Sequence, residues 1–424
     1  MKSSAPSVPH FRLASVLAVL ATLTLALLML SAVPRPAAAE DDAAAQKDTA
    51  KPAEETQPDA ARMIIPPPLE DLGRDHKIRL VYFVPTDSEV KANYREKTEV
   101  LMRVVADIYR REMKANGFKS RGLDFEFDED GRLDVKLVRA RHPAVAYRGD
   151  PVSTERMHQT QTQEIWETTG FTRNRAVLCF TEVGSIAEAS PIPQVYSGFA
   201  YVSGDIFRDE VTATTIEEQI KSFWDTTPVA KVGGSDKEAR NAATQVSNGV
   251  LAHELGHIFG MLHDSSDGRN IMYYGYHNLR LLYDRRKAKE RPVRFSLPHA
   301  RIAAATRFLS EDFDAADGEA PQIQQFRLVK QPRVGDANVK FEIRVSDNEG
   351  LSSLICMQRG GEWNDALVGD IDFEGKKRFG DTVTFTCPRP LGPSQPVMYW
   401  INVMDKNGNL AQQQLDWTRV LPKE

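Results

Sequence analysis

The sequence predicts an α+β domain with a twisted mixed sheet, followed by an all-β sandwich. Two observations carry this prediction. Between residues 76 and 312, apolar runs of strand length alternate with longer stretches in which apolar residues recur at helical spacing. From residue 320 to residue 424, short alternating runs are separated by turn sequences. The 424 residues, 41% of them hydrophobic, are enough for two such domains, and the net charge of −5 gives no indication of nucleic-acid binding.

The first 75 residues precede both predicted domains. Residues 1–39 have the composition of a signal peptide, with a basic start, an apolar centre and a run of three alanines at the end. The apolar centre is also long enough to span a bilayer, so a retained membrane anchor is the alternative. Residues 40–75 predict a disordered linker or short pro-segment. We expect an extracytoplasmic protein, secreted or periplasmic, which contacts a membrane only if the anchor is retained.

The first predicted domain opens with a strand and a long helix. Residues 78–84 form a β-rich run that ends at a proline, and residues 89–116 carry apolar side chains at helical spacing before Gly117. Residues 123–127 and 133–137 alternate as strands, and the Asp-Gly pair between them is typical of a hairpin turn. The order of these elements therefore predicts a sheet covered by helices.

The most informative segment reads HELGHIFGMLHD and begins at His253. On a helix, His253 and His257 lie one turn apart on the same face, so both imidazoles can reach one ion at the roughly 2.0–2.1 Å of Zn–N bonds. Glu254 lies beside that ion, where it can take a proton from a metal-bound water. Gly260 lets the chain leave the helix in a left-handed turn, and His263 then becomes the third ligand. The fourth position stays open, as in catalytic zinc sites.

Nine residues beyond the third histidine comes Met272, within the segment NIMYYG that begins at Asn270. The combined motif resembles the metzincin zinc metallopeptidases, whose methionine forms an apolar floor under the metal ligands. This resemblance implies a zincin-like catalytic domain with an active-site helix over residues 238–259. Asp264, directly after the third histidine, resembles the aspartate found there in the adamalysin (reprolysin) branch. In those enzymes this aspartate anchors the active-site base. The short link to Met272 instead resembles the matrixins.

The resemblance also implies a function. It predicts an exported zinc-dependent endopeptidase with one catalytic Zn²⁺, a protein or peptide substrate, and Glu254 activating the zinc-bound water. Tyr274 stands where astacins and serralysins carry a tyrosine that binds the metal or the oxyanion; a purely structural tyrosine is the alternative. A further run resembles the edge strand that metzincins offer to an extended substrate, although a buried core strand is equally compatible with it. That run comprises Gly198, Phe199, Ala200 and Tyr201.

Residues 320–424 predict an immunoglobulin-like or fibronectin-like sandwich, because about 100 residues of short alternating strands are typical of that fold. Cys356 and Cys387 fall in neighbouring β-like runs, so we predict that they form a disulfide. Cys179 lies in an apolar run and is expected to be a buried thiol. The competing hypothesis for the whole chain is a catalytically inactive zincin, with the sandwich serving as a surface, carbohydrate-binding or protein-binding module.

Overall fold

A computed structural model gives the fold of the chain. The residues that it describes are 76–148, 154–170, 173–193, 196–231, 236–284, 286–360, 365–388, 390–392 and 396–423. The predicted signal peptide and linker, residues 1–75, lie outside the described residues. Among those that are described, no helix combines the length and apolar composition needed to cross a bilayer.

The first region, up to about residue 312, mixes helices and strands as the sequence predicts. Its strands are β1 (Lys77–Val84), β2 (Val135–Arg139), β3 (Arg175–Thr181), β4 (Ala187–Ile192), β5 (Ser197–Ser203), β6 (Pro228–Ala230) and β7 (Lys237–Ala239). Its helices are α1 (Tyr94–Ala115), α2 (Ala144–Arg148), α3 (Thr154–Thr169), α4 (Ile216–Ser222), α5 (Arg240–Ile258), α6 (Arg280–Tyr283) and α7 (Leu297–Ala305).

Five of these strands form one mixed sheet in the order β2-β1-β3-β5-β4. The first four run parallel, and β4 pairs antiparallel with β5 at the edge. The predicted hairpin is reduced: residues 123–127 make only single bridges, Phe125 with Ile78 and Phe127 with Leu133, before β2 joins β1 in parallel. The mixed sheet is therefore confirmed, with one irregular segment where a full strand was predicted.

The interpretation of Gly198, Phe199, Ala200 and Tyr201 as an edge strand is wrong. These residues belong to β5, which has a partner strand on each side, so its backbone groups have no room for an added peptide. All four residues are buried. Ala200 packs in the core shared with α5, whereas Phe199 and Tyr201 point to the opposite face of the sheet. The antiparallel edge strand is β4.

Helices α1 and α5 cover one face of the sheet. The apolar side of α1 is buried, and the Tyr109 hydroxyl donates a 2.8 Å hydrogen bond to the carbonyl of Ala252 on α5. Since α5 also packs against β4 and β5, its second half lies directly beside the edge of the sheet. Two helices and the sheet thus fix the position of the HExxH segment.

The second region is all antiparallel β. Its strands are β8 (Gln322–Leu328), β9 (Asn338–Ser346), β10 (Leu351–Gly360), β11 (Ala366–Asp372), β12 (Arg378–Thr386), β13 (Val397–Asp405) and β14 (Leu410–Gln414). They form a four-stranded sheet, β11-β10-β13-β14, and a three-stranded sheet, β12-β9-β8. Residues from both sheets share one apolar cluster, which is the arrangement of a sandwich.

The predicted disulfide between Cys356 and Cys387 is not formed. Both residues are buried in the sandwich, but the structure has free thiols at Cys356, Cys387 and Cys179. Cys356 lies on β10, whereas Cys387 follows β12 in the other sheet and directs its sulfur to the Gln358 Oε1, 4.0 Å away. Burial raises the pKa of the Cys387 thiol to about 11, which keeps it protonated.

The two regions share a hydrophobic core. Ile355, Met357, Met404 and Leu410 of the sandwich belong to the same buried cluster as the apolar residues of α5 and α7. At the same boundary the Asn402 Nδ2 donates a 2.8 Å hydrogen bond to the carbonyl of Gly260, immediately after α5. The sandwich therefore packs on the end of the helix that carries the histidines.

Candidate metal centre

The second half of α5 carries His253, Glu254 and His257, and the chain turns immediately afterwards. The helix ends at Ile258, and Gly260 has a φ of +85°, a left-handed conformation that side chains resist. The Met261 amide donates a 2.9 Å hydrogen bond back to the carbonyl of Gly256, which closes the turn. This reversal brings the following residues back alongside the helix.

As a result, the ring nitrogens of His253, His257 and His263 converge. Their Nε2 atoms are separated by 3.2 Å between His253 and His257, 3.0 Å between His257 and His263, and 3.2 Å between His263 and His253. Ligands about 2.0–2.1 Å from a tetrahedral zinc ion lie about 3.3 Å apart, so the observed triangle fits such an ion. The three rings form a candidate metal site.

The Nδ1 atom of each ring has an oxygen partner. His253 Nδ1 lies 2.8 Å from the Ile271 carbonyl, and His257 Nδ1 lies 3.0 Å from the Met261 carbonyl. A carbonyl only accepts hydrogen bonds, so the Nδ1 of both rings carries the proton and the Nε2 lone pair is free for a metal. Burial lowers the pKa of His253 to about 3, which keeps that ring neutral, as metal ligation requires.

The third histidine takes its partner from the sandwich. The His263 Nδ1 donates a 3.0 Å hydrogen bond to the Asp365 Oδ2, and Asp365 is held by both arms of Arg359 at 2.7 and 2.8 Å. Burial opposes ionisation of Asp365, but the hydrogen bonds from His263 and Arg359 lower its pKa to about 2. No sequence signal identified Asp365, because it lies 102 positions from the histidine.

Glu254 is the buried acid of the site. Only 4% of the residue is exposed, and its Oε2 atom accepts no hydrogen bond from the described residues. Burial, and to a smaller extent the charge of Glu188, raises the pKa of Glu254 to about 8. A buried carboxyl oxygen without a hydrogen-bond donor is costly unless a cation or water accompanies it, so this orphaned atom also fits a metal site.

The segment after the third histidine lies beneath the ligands. Met272 is fully buried, and a Cβ added at Gly256, between the two helical histidines, would lie 2.5 Å from its sulfur. Met272 therefore packs against the turn of α5 that carries His253 and His257, and its role as a floor under a metal stays a prediction. Asp264 is buried too, and its carboxylate accepts hydrogen bonds from Ser266 and from Asn270 Nδ2 at 3.0 Å. It anchors the turn rather than a ligand ring.

Three tyrosines follow Met272, and two of them, Tyr274 and Tyr276, lie in different surroundings. Tyr274 is 55% exposed, and its ring packs against those of Tyr273 and His277. Tyr276 instead packs edge-on against the His253 ring at 5.6 Å, and the pKa of its hydroxyl is raised by burial and by the nearby charge of Glu254. The catalytic role of Tyr274 stays a prediction, and Tyr276 is the tyrosine that borders the ligands.

The edge strand β4 supplies a further acidic side chain. Glu188 lies on β4, beside α5, and it is close enough to Glu254 to contribute to the raised pKa of that residue. Its Oε2 is also 3.5 Å from the His158 Nε2. An open strand edge therefore runs next to the candidate metal centre.

A second group of carboxylates, Asp317, Asp347 and Asp405, lies within metal-binding distance of one another at the junction of the two regions. Hydrogen bonds from Asn348, Asn407 and Asn409 engage its oxygens. Burial raises the pKa of Asp405 to about 6. These contacts hold Asp317 and Asp405 in the packing between the regions, whereas the buried Oδ2 of Asp347 has no hydrogen-bond partner among the described residues.

The chain matches no known protein family and no curated protein sequence. Solved structures with the same fold include OgpA from Akkermansia muciniphila. A catalytically inactive OgpA in complex with an O-glycopeptide substrate, glycodrosocin, superposes with a TM-score of 0.53 at 14% identity and covers 85% of this chain and 96% of its own. A wild-type OgpA structure superposes with a TM-score of 0.50 at 15% identity, and the match covers 86% of this chain and 99% of the OgpA chain. At this identity the likeness shows the fold, in both regions, and nothing finer.

Proposed function

We propose that the protein is an exported zinc-dependent endopeptidase of the metzincin kind. The observation that carries the proposal is the triangle of three Nε2 atoms, 3.0–3.2 Å apart, on a helix and turn that also carry the buried Glu254 with its unpartnered carboxyl oxygen. Three imidazole ligands leave a fourth coordination position, which distinguishes catalytic from structural zinc sites. The Met272 floor and the left-handed turn at Gly260 support the same assignment.

His253, His257 and His263 would hold the ion, with the proton of each ring kept on Nδ1. When bound, zinc would supply a positive charge that acidifies a water molecule and polarises a peptide carbonyl. Glu254 would take the proton of that water on its Oε2 and later pass it to the departing amine. Without metal, burial raises the pKa of this carboxyl; a zinc ion bound by the neighbouring histidines would lower that pKa and favour the ionised form that accepts the proton.

Strand β4 would bind the substrate. Its outer edge has no partner strand among the described residues, and it lies alongside α5. An extended peptide could pair with it through backbone hydrogen bonds, which hold a substrate with little dependence on sequence. This places the substrate-binding role on residues 187–192 instead of on β5.

The substitution Glu254→Gln tests the mechanism. Glutamine keeps the shape but cannot accept a proton, so we expect one zinc ion per chain to remain while cleavage of a denatured protein falls by about 10²- to 10⁴-fold. Zinc content and cleavage are measured on the same preparations. Glu238→Gln is the matched control, since residue 238 lies on β7, just before the start of the same helix at Arg240, which is about 21 Å from residue 254 at 1.5 Å per residue.

Equal cleavage by the wild type and Glu254→Gln would contradict the proposed mechanism. Zinc bound by a wild-type protein that cleaves nothing would favour the alternative, an inactive zincin whose sandwich serves in binding. Cleavage that persists after a chelator has removed all metal would exclude the zinc mechanism altogether.

A second candidate concerns the substrate. OgpA, which shares the fold over 85% of this chain, has been crystallised with an O-glycopeptide substrate. We therefore propose O-glycosylated peptides as one substrate class to test. Pairs of synthetic peptides that differ only in an O-linked sugar on one serine or threonine are incubated with the protein, and products are identified by mass spectrometry. Preferential cleavage of the glycosylated member supports the candidate, and equal cleavage of both rejects it.

A further inference from the structure

The three candidate ligands differ in how their rings are held. His253 and His257 lie on α5, and their Nδ1 atoms bond to carbonyls of the same region, those of Ile271 and Met261. His263 lies beyond the helix, in a segment without regular secondary structure. Its ring orientation therefore depends on the group that accepts its Nδ1 proton, and that group is Asp365 of the sandwich.

The segment around Asp365 is fixed to the histidine segment by its backbone as well. The Ser265 amide donates a 3.1 Å hydrogen bond to the Asp365 carbonyl, and the Leu367 amide lies 3.4 Å from the Asp264 Oδ1. With the bond to His263, three contacts join residues 263–265 to residues 365–367. They set one register between the two segments and leave the Asp365 carboxylate beside the imidazole.

Asp365 itself is held in an uncommon conformation. Its φ is +48°, in the left-handed region that aspartate, asparagine and glycine tolerate better than other residues. Arg359, on β10, donates to both carboxylate oxygens and so fixes the plane of the group. Arg359 thus orients the carboxylate independently of His263, and both Arg359 and Asp365 belong to the sandwich.

We propose that Asp365 is a positioning residue for His263, and that the metal site is complete only when the sandwich is docked on the first region. The proposal rests on the zinc site of the proposed function and names the residue through which the sandwich contributes to it. A carboxylate that accepts the Nδ1 proton fixes the tautomer and the ring plane of a metal-binding histidine, and raises its basicity. Arg359 supports it indirectly by holding Asp365.

The test uses three variants of the full chain. Asp365→Gly removes the carboxylate without opposing the positive φ, and Asp365→Asn keeps the shape but not the charge. Asp370→Asn is the matched control, because Asp370 on β11 also bonds across the boundary, to Arg301 of α7 at 2.8 Å, but contacts none of the histidines. Zinc affinity is measured by competition with a fluorescent chelator, and melting temperature reports the folding of each variant.

We expect Asp365→Gly to weaken zinc binding by about 10- to 100-fold, Asp365→Asn by less, and Asp370→Asn by less than twofold. Equal affinity of Asp365→Gly and the wild type would overturn the proposal. An equal loss in Asp365→Gly and Asp370→Asn would overturn it too, since the effect would then come from docking alone.

A second readout uses the zinc-free protein labelled with ¹⁵N-histidine. In the wild type we expect His263 to be held as the Nδ1–H tautomer, with its signals assigned by their loss in His263→Asn. In Asp365→Gly the ring should move towards the tautomer mixture of free histidine. An unchanged tautomer would overturn the proposal. Failure of the wild type to bind zinc would overturn the proposed function, while this measurement would still decide the role of Asp365.

Discussion

At the level of single residues, hydrogen-bond partners determine which atoms of the candidate site carry a proton and which have a free lone pair. Each ligand ring has an acceptor for its Nδ1 proton, and Glu254 has a carboxyl oxygen with no donor. Spacing in the sequence predicted that His253, His257 and His263 converge, because a helix and one glycine turn relate these residues over a few positions. It could not predict Asp365 or Tyr276, whose places depend on how distant segments pack.

The two tyrosines near the site allow a direct comparison. Since Tyr276 packs against His253 and Tyr274 is largely exposed, we expect Tyr276→Phe to lower kcat by about 10²-fold, the lower end of the cost of losing one donor to a developing charge. Tyr274→Phe should change kcat by less than threefold. Steady-state kinetics on one peptide substrate checks both. The reverse order of effects would show that Tyr274 holds the catalytic role that the resemblance implied.

At the level of elements, the site depends on α5 packing closely on the segments that follow it. Gly249 faces Tyr276, and a Cβ at that position would lie 2.2 Å from the tyrosine Cβ. Gly256 faces the Met272 sulfur in the same way. Side-chain periodicity predicted α5 well, but it could not predict that β4 rather than β5 forms the sheet edge, because strand order is set by packing across the whole sheet.

The close approach at Gly249 gives a prediction for that contact. Alanine favours helix over glycine by about 1 kcal/mol, but here its methyl would push the segment that carries Tyr276 away. We expect Gly249→Ala to be destabilised by about 1–3 kcal/mol in chemical denaturation, and to lose activity while binding zinc. Gly268→Ala is the control, since no atom lies within 4 Å of its added Cβ. A stabilised, fully active Gly249→Ala would contradict the packing.

The contact between α3 and β5 predicts a pH dependence. His158 stacks on Tyr201, and burial lowers its pKa from 6.5 to about 4. As the pH falls, His158 is therefore protonated near pH 6.5 in the unfolded chain but only near pH 4 in the folded protein. Its contribution to the free energy of unfolding is fully present above pH 6.5 and is lost as the pH drops towards 4. Relative to His158→Phe, the wild type should lose at most about 3 kcal/mol between pH 7 and pH 4. The Glu188 carboxylate attracts the protonated ring and reduces the loss. Denaturation curves that run parallel at every pH would contradict this.

At the level of the whole molecule, the sandwich is part of the structure that forms the site. Alternating runs predicted its strands and its two-sheet form from the sequence. Those runs do not indicate that the sandwich docks on α5. Met357 and Met404 pack in the core shared with the first region, but in the sequence they do not differ from apolar residues that face the interior of the sandwich. The disulfide prediction failed for the same reason, because two runs that are neighbours in the sequence need not place their cysteine side chains in contact.

The shared core predicts that the two regions unfold together. Scanning calorimetry of the full chain should show one transition, because unfolding of the sandwich would expose the apolar surface of α5 and α7. Zinc should raise that single transition temperature, since a ligand present at about 100 times its Kd adds about 2.7 kcal/mol to the folded state. Two separate transitions, with only one responding to zinc, would show that the regions are independent.

The central claim is that three imidazoles hold one zinc ion beside Glu254. Anomalous diffraction at the zinc edge, on crystals of the protein grown with zinc, tests it most directly. We expect a single peak about 2.0–2.1 Å from the Nε2 atoms of His253, His257 and His263. A peak at Asp317, Asp347 and Asp405 instead, or no peak among the three histidines, would contradict the account.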